Sequence, residues 1–144
     1  VIRIETGYQD RDQYQIATLF QPGEPWEPWA PQPQFNHKLL ITHGASCGID
    51  RQSGSAPSVT GDTVLGDSPT TALGLGFAVM STALNNAGHN CNIVTQAESM
   101  VMAKERLIEQ YGEIRYTMSD GGSGGRRSSV NCSKIVFPAS SIVA

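Results

Sequence analysis

Long apolar runs are missing from this 144-residue chain: nothing in it approaches the roughly 20 consecutive residues that a bilayer-spanning helix needs. Basic clusters are scarce as well. The largest is Arg126-Arg127, and the net charge is -3, so nucleic acid is not an expected partner. Cysteine is limited to Cys47, Cys91 and Cys132, which leaves one odd member if a disulfide forms. No CxxC and no His-x-x-x-His spacing occurs, so neither a structural zinc site nor another cofactor is expected. The chain opens at Val1 with no start methionine or signal peptide, and so reads as processed or trimmed.

What is present fits one ordinary domain with one core. Hydrophobic residues make up 39% and charged ones 16%. Val1 to Glu5 alternates apolar and charged, as a half-buried strand does. Thr6 to Asp12, with Gly7, reads as a polar loop leading to a second strand over Tyr14 to Phe20, which gives an antiparallel hairpin. Prolines 22, 25, 28, 31 and 33 deny Gln21 to Gln34 any helix or central strand. Trp26 and Trp29 are expected to pin that segment to the body, with an aromatic substrate shelf as the alternative.

Lys38 to Thr42 is short and almost wholly apolar, like a strand buried on both faces of a parallel sheet. It leads into H-G-A-S-C-G at 43–48, where small residues leave backbone N–H groups free to face a ligand; a plain tight turn is the alternative. Residues 49–73 read as a surface excursion with a helical turn near the end, and Gly74 to Leu84 as another buried strand. After a polar loop at 85–92, Thr95 and Glu98 form a capping box. The helix it starts carries Ala97, Met100, Val101, Leu107, Ile108 and Tyr111 on one stripe and stops at Gly112. Ile114 to Met118 is a last short strand.

That strand delivers the chain into Gly121-Gly122-Ser123-Gly124-Gly125, a G-x-S-x-G pattern. Such a turn presents a nucleophilic serine at a strained angle between a strand and a helix. A Gly/Ser linker has the same letters. The preceding order of buried strand, His-Gly turn, buried strand, capped helix and strand favours the nucleophile elbow.

With these residues together, the chain resembles the amino-terminal half of a bacterial group of serine esterase-like α/β-hydrolases. The likeness rests on R-I-E-T-G at 3–7, P-W-x-P-W-A-P-Q-P at 25–33, H-G-A-S-C-G at 43–48, G-H-N-C-N at 88–92, A-K-E-R-L-I-E-Q-Y-G at 103–112 and the glycine-serine turn, over about residues 1–125. It implies an α/β fold: a mostly parallel sheet with an N-terminal antiparallel hairpin and flanking helices. It implies hydrolysis of a small-molecule or polymeric carboxylic ester, and a secreted or periplasmic protein. By the resemblance Ser123 matches the nucleophile, the N–H of Gly124 one half of the oxyanion hole, and the Gly44-Ala45 turn the other. Cys47 and Cys91, both in loops after buried strands, are expected to pair and leave Cys132 free; two separate thiols are the alternative.

The pattern departs from the family after the serine. The usual chain order is Ser, then Asp or Glu, then His, yet no Asp, Glu or His follows Ser123. His43 is then the candidate base, while Asp120 would point along its strand. Residues 126–144 form an atypical tail, and loss of the family reading frame near Gly125 is the expectation for it. A half sheet that ends there would expose strand edges, so a non-catalytic, self-associating homo-oligomer is the competing reading. A polymer-binding module using the two tryptophans is a third.

Overall fold

The computed structural model describes residues 1–9, 11–61 and 68–125. The tail at 126–144, with Cys132, lies outside the described residues. In chain order the elements are β1 (Ile2–Gln9), β2 (Asp12–Leu19), β3 (Lys38–Thr42), α1 (Ser68–Gly74), β4 (Ala78–Thr82), α2 (Ile93–Tyr111) and β5 (Tyr116–Asp120). The five strands form one sheet in the order β1-β2-β4-β3-β5.

The sheet is mixed, which corrects the expectation of a mostly parallel one. β1 pairs antiparallel with β2, and β2 antiparallel with β4; β3 is parallel to both β4 and β5. The hairpin is not an appendage to a parallel sheet. Its second strand lies directly against β4 and carries the antiparallel ladder into the centre. The hairpin is also tighter than expected, with pairing down to Gln9 and Asp12. Gly7 does not turn the chain: it faces Tyr14 across the ladder, and a Cβ there would stand 2.5 Å from the tyrosine ring.

Strand alternation divides the core between two faces. Ile16, Leu39, Ile41, Ala78 and Met80 meet Met100, Ala103, Leu107 and Tyr111 of α2. Ala17, Leu40 and Val79 meet Ala72 and Leu73 of α1. The connections that leave β3 and β4 therefore run to opposite faces, and such a divergence opens a crevice at the carboxyl ends of parallel strands.

Several boundaries move from their expected places: β1 runs on to Gln9, and β5 is Tyr116–Asp120 instead of Ile114 to Met118. α1 continues to Gly74, and Gly76 at φ 84 turns the chain, so β4 begins only at Ala78. The start of α2 is set by Asn92, whose side chain accepts from the N–H groups of Val94 and Thr95. Asn92 satisfies two orphan donors, so Thr95 sits inside the first turn instead of capping it. Trp26 pins the proline-rich segment as expected. Its ring N–H donates to the Tyr111 carbonyl at 3.0 Å, and the ring packs among Phe20, Phe35 and Tyr111. Trp29 is 81% exposed.

Candidate active site at the carboxyl ends of β3 and β5

Thr42 and Asp120 are register partners at the ends of parallel neighbours, so the segments that leave β3 and β5 start side by side. The pairing extends one step further, since the His43 N–H donates to the Asp120 carbonyl at 2.8 Å. Beyond it the two turns lock together. The Gly122 N–H donates to the Gly44 carbonyl at 3.0 Å, and the Gly125 N–H to the Gly122 carbonyl at 2.9 Å.

The glycines of the second turn are dictated by this contact. A Cβ at Gly121 would lie 3.1 Å from the His43 Cβ, and one at Gly124 would collide with the Ser46 carbonyl oxygen. One at Gly125 would collide with the Gly44 carbonyl oxygen. Between these glycines Ser123 is exposed and held at φ 49. A non-glycine residue in the left-handed region is costly, and such strain gathers at functional turns.

The first turn also enters the left-handed region, easily at Gly44 (φ 65) and with strain at Ser46 (φ 77). Its carbonyls are occupied: that of His43 accepts from Ala87 at 3.1 Å, and that of Gly44 from Gly122. Its N–H groups are not. Among the described residues, those of Gly44, Ala45, Ser46 and Cys47 have no acceptor, whereas Gly48 donates to Ala87 at 2.9 Å. Ser123 and Gly124 likewise donate to no described backbone carbonyl. Backbone donors left open in this way are suited to receive a negative oxygen.

A third loop backs the first turn. The Cys91 N–H donates to Gly48 at 2.8 Å and the Asp50 N–H to His89 at 2.8 Å, and a disulfide joins Cys47 to Cys91. His89 ties this loop to the hairpin: its Nε2 lies 3.1 Å from the buried Asp12 carboxylate, whose other oxygen accepts from Gly54 at 2.7 Å. Sequence reading missed this anchor. Asp12 and His89 are distant along the chain and form no local motif.

His43 is sealed beneath the turns at 0% exposure. Burial pushes its pKa down to about 4, against the opposing pull of Asn85 and then of the Asp120 charge, so the ring is neutral near pH 7. Asn85 lies beside the ring without hydrogen-bonding geometry: neither ring nitrogen has a hydrogen-bond partner among the described residues. The structure thus brings Gly44, Ala45, Ser123 and Gly124 together at the carboxyl ends of β3 and β5 with His43 sealed beneath them, but no hydrogen bond joins the imidazole to the serine. Among the described residues no cluster of three metal-ligating side chains occurs.

No curated protein and no solved structure matches the chain. A family model does, over residues 1–136, a span that includes every element of the crevice. The chain belongs to DUF6351, a tannase-like family of unknown function.

Proposed function

We propose that the crevice is a serine esterase site of the α/β-hydrolase type. The observation that carries this reading is Ser123: exposed, at φ 49, just beyond a strand and packed against a turn with four N–H groups that have no acceptor among the described residues. The tannase-like family is consistent with ester hydrolysis. The strand–turn order at β5 and Ser123 supports the reading of a nucleophile elbow. In this reading the Ser123 Oγ attacks the ester carbonyl carbon and its proton passes to a base. The carbonyl oxygen, now negative, is held by the N–H groups of Gly124 and of the Gly44-Ala45 turn. The alcohol leaves with a proton, and water then releases the acid from the acyl-serine. His43 is assigned as the base because its ring is neutral and lies directly beneath the two turns. A disulfide beside the site suits an oxidising compartment, secreted or periplasmic.

A specific observation favours a second reading, that of a non-catalytic, self-associating domain: the His43 ring is sealed and unbonded to Ser123. A chromogenic short-chain ester decides between them. The esterase reading expects turnover that falls at least about 100-fold in Ser123→Ala, and labelling of Ser123 by a fluorophosphonate. Equal rates in both proteins, with no labelling, sink it.

A further inference from the structure

Between His43 and Gly48 the first turn has a gap in its support. The carbonyls of His43 and Gly44 are anchored at one end, and the N–H of Gly48 at the other. Residues 45–47 between them make no backbone hydrogen bond among the described residues. That span includes Ser46 at φ 77, a conformation that a serine keeps only when its surroundings over-determine it. Three features act there. The Ser46 carbonyl stands where a Cβ on Gly124 would be, the Ala45 carbonyl stands close to where one on Gly88 would be, and Cys47 is covalently joined to Cys91. Cys91 itself is well held, through its N–H to Gly48 and through the start of α2 at Asn92. Cys47 is exposed and Cys91 half-buried, so a small thiol reagent can reach the bond.

We propose that the Cys47–Cys91 bond is the positioning element of the oxyanion turn, and that its reduction by a dithiol switches the Ser123 site off. The proposal rests on the esterase reading for its effect on turnover, and on geometry alone for its effect on the turn. The chemistry balances. The dithiol gives two electrons and two protons, the S–S bond breaks to two thiols, and the reagent closes to its own disulfide. With Cys47 released, Ser46 relaxes toward negative φ and carries Ala45, whose own N–H is one of the assigned donors, away from the developing oxyanion. Donors misplaced in this way lower the rate of the chemical step more than they lower substrate binding.

The test uses the full chain in a Cys132→Ser background, so that thiol counting is unambiguous, with dithiothreitol as the reductant. On full reduction kcat falls roughly tenfold or more while KM stays within about twofold, and reoxidation restores it. The Cys47→Ser, Cys91→Ser double variant has the low kcat and ignores the reductant. Amide exchange is read in parallel. Protection drops at Gly48, Ala87 and Gly122, whose N–H groups anchor the turns, while Met80 in β4 and Leu107 in α2 keep theirs. Unchanged kcat together with unchanged protection overturns the proposal. Equal loss of protection at Met80 and Leu107 also overturns it, because the bond is then a staple of the whole fold. Absence of Ser123-dependent turnover in the oxidised protein overturns the esterase reading instead, and amide protection then decides the positioning claim by itself.

Discussion

His43 carries the largest electrostatic cost in the crevice, and pH exposes it. Burial lowers its folded-state pKa to about 4 from an ordinary 6.5. Between those values the unfolded chain binds the extra proton, so stability is complete above about pH 6.5 and drains away as pH falls toward 4. The shift corresponds to about 3 kcal/mol over that window. Urea melts at pH 7 and pH 4.5 should show the loss in the native protein and a much flatter response in His43→Gln. Equal slopes in the two proteins would remove His43 as the cause. Glu5 acts from the acid end of that window downward. Burial alone would raise its pKa, but hydrogen bonds from Arg106, Tyr14 and Tyr111 outweigh it and hold the carboxyl low. Its contribution is present above about pH 4.5 and lost as pH falls through its lowered value. The glycine-serine turn was legible residue by residue, since its glycines answer a local steric need. The burial of His43 was not, because the atoms that seal it come from segments more than 40 residues away.

Among the elements, α2 was the most legible, because its apolar stripe repeats at the helical period and Met100, Leu107 and Tyr111 are buried where that period puts them. Its start was misread. Thr95 and Glu98 have the letters of a capping box, but Asn92 reaches the two N–H groups first. Replacing Asn92 with alanine should cost about 1 kcal/mol in chemical denaturation, and Thr95→Ala distinctly less. The reverse ranking would restore the capping box. The hairpin shows a different limit. Glycine is ambiguous in a sequence: Gly7 turns nothing and makes room for the Tyr14 ring, and that partner is fixed only by the register.

At the scale of the whole molecule, the presence of strands was readable but their mutual direction was not. Alternation identifies a buried face and says nothing about which neighbour will share it, so the antiparallel contact of β2 with β4 emerged only from the assembled sheet. β5 is the outermost strand of the sheet formed by the described residues, with Tyr116 61% and Met118 49% exposed. An edge of this kind invites a second copy. Sedimentation should show the average mass rising with concentration, and Met118→Lys should suppress the rise. A constant monomer mass would end the homo-oligomer reading.

The interlock of three turns has a consequence for the order of folding. The disulfide closes a loop whose ends are 44 residues apart, and both lie in the chain before β5 has been reached. The contact that completes the crevice, between the ends of β3 and β5, joins Thr42 to Asp120. Contacts that span so much chain are made late. The hairpin, β3, β4 and the bridge between their loops can therefore settle as a scaffold first. The left-handed conformation of Ser123 lies just beyond that edge strand, so it depends on β5 being paired and is exposed to loss whenever that edge frays.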